Sequence, residues 1–245
     1  MNYNLLSIDE SGKASYSHRS QLFILSGVVI PEKFKIRLDI NIRKLKKKFF
    51  KDEEVVLHGR DIARKAGEFT CLQDIKTETL FWNDLISIFN DNKINLIFVI
   101  VNKNEAKKAG WQVETILERS YKRLLELFAL NKISKQTKGK IIAESDSAQD
   151  PLLIKAHNAL QSQGVSGQIS AFEYQQAITC LSLVNKANLD VDVQIADTVV
   201  FIAEKKYYLD QGKFILNNTI DKMKIRFLER KLTNKTDPSF LEVII

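Results

Sequence analysis

Two patterns of apolar and polar residues alternate along this chain. Short apolar runs closed by turn residues predict strands at residues 3–8, 21–30, 94–101, 140–143 and 181–184. The run at 94–101 is rich in β-branched residues and is expected in the middle of a sheet, and the run at 181–184 is expected to be the last strand. Apolar residues at helical spacing predict helices over 32–50, 77–90, 112–130 and 150–162. Pro31 and Pro151 stand at the starts of the first and last of these. Residues 193–203 are apolar nearly all round and predict a buried helix reached through 185–190. Residues 164–172 read as a strand or a loop, 212–231 as a basic helix, and the final residues as a tail. With no internal repeat and no low-complexity linker, the pattern predicts one α/β domain.

Several strands run directly into acids. Residues 3–8 lead into Asp9-Glu10-Ser11-Gly12, and residues 140–143 lead into Glu144-Ser145-Asp146. Strand side chains alternate faces, so Asp9 and Glu10 diverge; Asp9 is expected in a site and Glu10 against a neighbour or solvent. Glu144 and Asp146 share a face if the extended conformation continues. Asp197 stands within the predicted buried helix, where an unpaired carboxylate is costly. Each feature has a plainer reading. Asp-Glu-Ser-Gly is good turn chemistry, and Asp197 could pair with a nearby lysine. Between them, Leu57-His58-Gly59-Arg60-Asp61 places a histidine and an acid in a polar turn, with Arg60 suited to phosphate. If the acids converge, they make a site for one or two Mg²⁺ or Mn²⁺ and for hydrolysis of a phosphodiester.

Composition narrows the alternatives. The net charge of +7 points to an acidic partner, of which nucleic acid is the commonest. Arg43, Lys44, Lys46, Lys47, Lys48 and Lys51 crowd one predicted helix end, and Lys222, Lys224, Arg226, Arg230 and Lys231 crowd another; each is either a solvated face or a phosphate contact. An aromatic content of 9% offers no base-stacking platform, so backbone contacts are expected. Cys71 and Cys180 have neither metal-ligand nor nucleophile context, which fits a reducing cytoplasm. No signal peptide is evident, and the longest wholly apolar run, 96–101, is far below the roughly 20 residues that cross a bilayer, so a soluble protein is expected. Gly12-Lys13 lacks the rest of a P-loop, and nucleophile-elbow, zinc-protease and dinucleotide fingerprints are missing.

Ile8-Asp9-Glu10-Ser11-Gly12, His58-Gly59-Arg60-Asp61-Ile62, Glu144 with Asp146, and Gln194-Ile195-Ala196-Asp197 together resemble the prokaryotic domain-of-unknown-function family 3800 over roughly residues 3 to 205. That resemblance implies a ribonuclease H-like fold: a mixed sheet with acids at its centre, flanked by helices and carrying helical insertions. The whole chain would be one such domain with a basic helical extension from about residue 212. It further implies a nuclease-like activity with Asp9, Glu144 and Asp197 as Mg²⁺ or Mn²⁺ ligands. Asp146 would be a further metal candidate, Glu10 and His58 further catalytic candidates, and Asp61 a secondary one. The alternative is a non-catalytic nucleic-acid-binding or regulatory module of a defence or mobile-element system.

Overall fold

The computed structural model describes residues 2–185 and 190–245; most of the link expected over 185–190 lies outside them. The opening apolar run is β1 (Asn2–Ser11), and β2 (Leu22–Pro31) returns antiparallel beside it. Pro31 ends that strand and a single 3₁₀ turn leads into α1 (Lys35–Phe50). A short α2 (Gly59–Arg64), a 3₁₀ stretch and α3 (Ile75–Asp91) form a helical insertion before β3 (Asn95–Asn102). Then come α4 (Lys103–Lys108), α5 (Val113–Lys132), β4 (Thr137–Glu144) and α6 (Asp150–Gln163). The chain continues with α7 (Ala171–Ala177), β5 (Ile178–Val184), α8 (Val191–Asp210), α9 (Thr219–Leu232) and β6 (Phe240–Val243).

The sheet order is β5-β4-β1-β2-β3-β6, with β1, β2 and β3 antiparallel in succession and the β1/β4, β4/β5 and β3/β6 pairs parallel. This is the mixed sheet flanked by helices that the ribonuclease H-like reading expects. Period-two alternation splits its faces. Leu22, Ile24, Val28 and Ile30 of β2 pack with α1, α3, α8 and α9, whereas Leu6, Ile8, Phe23 and Leu25 pack with α5, α6 and α7. Covered on both faces, β3 is apolar almost without interruption.

The loop reading of 164–172 holds, and two other expectations need correction. Residues 164–172 form a tight turn bridged between Val165 and Ile169, and Ser170 with Glu173 makes the capping box that starts α7. The strand at 181–184 is an edge strand but not the last one. The supposed tail is β6, paired parallel to β3 from Ile97↔Phe240 to Ile100↔Val243, which places β3 one strand in from the sheet edge. That pairing joins residues some 140 positions apart, which local pattern cannot reveal.

The chain before β6 is fastened by a lysine drawn into the core. Lys132 Nζ donates to Asp237 Oδ1 at 2.5 Å and to the Pro238 carbonyl at 2.6 Å, while Asn95 donates to Asp237 Oδ2 at 2.6 Å. Burial raises the Asp237 carboxyl, but the hydrogen bonds from Lys132 and Asn95 outweigh it and hold the group below its ordinary value. A carboxylate lowered in the folded state adds stability above its unfolded pKa and loses it as pH falls through the folded value. Asp237→Asn is expected to cost about 1–2 kcal/mol in urea unfolding at pH 7, a buried lysine losing a half-exposed partner. The penalty shrinks as pH drops below 3.8, the ordinary Asp pKa. A penalty equal at pH 7 and at acid pH would contradict this account.

Candidate active site

The site begins where β1 leaves the sheet. Asp9 pairs with Ser26 of β2, and the parallel register Ile8↔Ala143 brings Glu144 alongside Asp9 on the next strand. Alternation turns Asp9 toward α8, which packs on β1, and turns Glu10 to the other face, where its Oε1 accepts from Gln149 Nε2 at 2.8 Å. The Glu10 N–H donates to Asp9 Oδ1 at 2.8 Å. Gly12 then bends the chain away with φ +72°; a Cβ there would stand 2.3 Å from the Leu22 carbonyl oxygen.

The late helix supplies the opposite wall. Gln194 and Asp197 lie three residues apart on one side of α8 and both hold the chain entering α2. Gln194 Oε1 accepts from the Leu57 N–H at 3.0 Å and from Lys46 Nζ at 2.8 Å; Asp197 Oδ2 accepts from the Gly59 N–H at 3.0 Å. Gly59 is needed for this approach, since a Cβ would meet the Asp197 carbonyl oxygen at 2.3 Å and the Phe201 ring at 2.8 Å. His58 Nδ1 is thereby set 3.7 Å from Asp197 Oδ2 and 3.7 Å from Asp61 Oδ2, buried and without a hydrogen-bond partner among the described residues.

Asp9, Glu10, His58, Glu144, Asp146 and Asp197 line one cleft of about 190 Å³. Burial, first, and then repulsion from Asp197, Glu10 and Glu144 push the Asp9 carboxyl well above its ordinary range, against the Glu10 N–H. None of the leading influences on it is a cation. Asp146 reaches the cleft by a different route from the one expected. The strand ends at Glu144, and Asp146 turns to accept from the Ala148 N–H at 2.8 Å ahead of α6, so it does not continue an extended face. Among the described residues, no group of three or more His, Cys, Asp and Glu side chains is close enough to hold a metal ion. In donor chemistry the cleft fits a hard divalent cation through its carboxylate oxygens, one of them buried and repelled by its neighbours.

Other candidates fall outside. Arg60 is exposed on α2. In the first basic cluster, Arg43 pairs with Asp39 and Lys48 with Asp84, and Lys46 is buried; Lys44, Lys47 and Lys51 stay exposed. Burial, then the charge of Arg43, lowers the Lys46 ammonium to about 8. Sequence reasoning assigned Lys46 to a charge run and missed its role. Its spacing was the signal, four residues from Ile42 and four from Phe50 on the buried side of α1.

No protein-family model matches the chain, and no curated protein matches it. Among solved structures, the ribonuclease H2 from Pyrococcus horikoshii OT3 aligns over 91% of this chain and 98% of its own, at 15% identity and a TM-score of 0.40. That likeness is too weak to argue from. No described helix is long and apolar enough to cross a membrane.

The Gln194 contacts can be removed without touching the acids. Gln194→Met leaves the Lys46 ammonium and the Leu57 N–H without their acceptor, and is expected to cost about 2–4 kcal/mol in urea unfolding. Gln194→Glu keeps the acceptor and should recover most of that loss. If Met and Glu variants unfold alike, the hydrogen bonds are not what holds residues 55–59.

Proposed function

We propose that the carboxylate cleft is a metal-dependent phosphodiester hydrolase site, that its substrate is nucleic acid, and that the chain is a member of the prokaryotic family 3800 its motifs resemble. The observation that carries this reading is the meeting of Asp9, Glu144, Asp197 and His58 in one cleft. They come from the first strand, a middle strand, a late helix and an insertion. Such acids repel each other, and nothing in the packing of a stable core calls for gathering them.

Asp9, Glu144 and Asp197 are the residues to hold Mg²⁺ or Mn²⁺, with Asp146 and His58 beside them. Bound there, a divalent ion supplies positive charge against the developing charge on the phosphoryl oxygens and makes water a better nucleophile near neutral pH. The protein's own contributions are positional. The Glu10 N–H orients one Asp9 oxygen, and the Gly59 N–H holds Asp197 Oδ2. His58, steadied by its place ahead of α2 between two carboxylates, is placed to accept or return a proton. Exposed lysines and arginines on α1 and α9 suit the phosphate backbone, and the +7 charge draws it in. The second reading, a non-catalytic nucleic-acid-binding or regulatory module, is favoured by one observation: the acids are not drawn to metal-holding distances.

The two readings diverge in measurement. Asp9→Asn and Asp197→Asn should each lower Mn²⁺-dependent cleavage of single-stranded, duplex or hybrid substrate by about 10³-fold or more. Fold and salt-dependent binding should persist. Mn²⁺ should raise the melting temperature of the unaltered protein and not of Asp9→Asn. Cleavage surviving in both variants, or binding with no cleavage and no Mn²⁺ shift, removes the hydrolase reading, the latter leaving the binding module.

A further inference from the structure

We propose that a second cavity, enclosed by α2, α3, α8 and α9, binds a small organic acid with an apolar body, its acid head held by Lys224. The cavity measures about 300 Å³, the lower end of small-molecule sites, which run from about 300 to 1,000 Å³. An engineered cavity of about 150 Å³ holds benzene, so there is room for a ring and a head group. Its walls include Ile62, Phe201 and Ile202 beside Trp82.

The charges around it mostly pair off. Lys65 meets Glu78 at 2.6 Å, and Lys205 meets Asp221 at 2.5 Å. Lys224 is attracted by Glu78 and Asp221 but makes no close ion pair among the described residues. Its ammonium sits 3.8 Å from the centre of the Trp82 ring, and among the described residues it donates to no hydrogen-bond acceptor. A desolvated ammonium gains most from a charged acceptor, and the cavity it faces is where one can be placed. Burial lowers Lys224 to about 8, which still leaves it largely charged at neutral pH. The Trp82 ring lines the cavity, while its indole N–H is buried and lacks an acceptor among the described residues. Glu204 also lines the cavity, and burial raises its carboxyl against the charge of Lys205. Gly59 and Thr198 line this cavity, while their chain neighbours His58 and Asp197 line the carboxylate cleft on the far side of the α2–α8 contact.

The test uses the full chain with phenylacetate, phenyl phosphate and 2-phenylethanol as probes, read by saturation-transfer NMR and thermal shift, without any activity assay. At least one of the two acids should bind the unaltered protein below about 10 mM, and the pair distinguishes a carboxylate from a phosphate head. Lys224→Met should weaken that acid about tenfold or more, and Lys224→Arg should retain it within about threefold. Ala63→Phe, at an exposed helix position on the rim, should block entry without depending on Lys224 being tolerated. Failure of both acids to bind, binding unchanged in Lys224→Met and Ala63→Phe, or 2-phenylethanol binding as tightly as the acids overturns the proposal. None of these outcomes bears on the hydrolase reading, which concerns the other side of α8.

Discussion

A carboxylate at the inner end of a buried strand is the constraint around which this protein is arranged. Asp9 is desolvated by the sheet beside it and by α8 above it, and its nearest charged neighbours repel it. Folding keeps that arrangement because the rest of the molecule insists on it. β1 sits between β2 and β4 with both faces covered, so Asp9 has nowhere else to point.

The scaffold meets the stress with backbone donors. The Glu10 and Gly59 N–H groups each give a hydrogen bond to a carboxylate of the cleft, and Gln194 ties the segment before Gly59 to the same helix. Two short motifs thus explain one another. The Gln-x-x-Asp spacing on α8 is a pair of acceptors, and the Leu57 and Gly59 N–H groups come close enough to use them because Gly59 lacks a Cβ. Replacing the glycine with any residue bearing a Cβ would separate α2 from α8 and move His58 with it.

The same helix divides the molecule's chemistry in two. One side of α8 faces acids with oxygen and imidazole donors, and further along it faces a cavity lined by three lysines and three carboxylates, beside an indole N–H with no acceptor among the described residues.

Much of this was legible in the chain as written. Strand alternation alone separated Asp9 from Glu10, and uninterrupted apolar runs marked β3 and α8 as buried, because periodicity records which faces a residue can show. The spacing of Lys46 among Ile42, Leu45 and Phe50 also carried its burial, although its charge disguised it. What periodicity cannot record is which distant segments meet. The pairing of β6 with β3 and the grip of Gln194 on Leu57 were decided by packing across the whole fold. The convergence of Asp9, Glu144 and Asp197 belongs with them. The sequence determined that each acid ends or interrupts an apolar element, and only the tertiary structure brought those ends together, because local chain geometry says nothing about contacts more than a hundred residues apart.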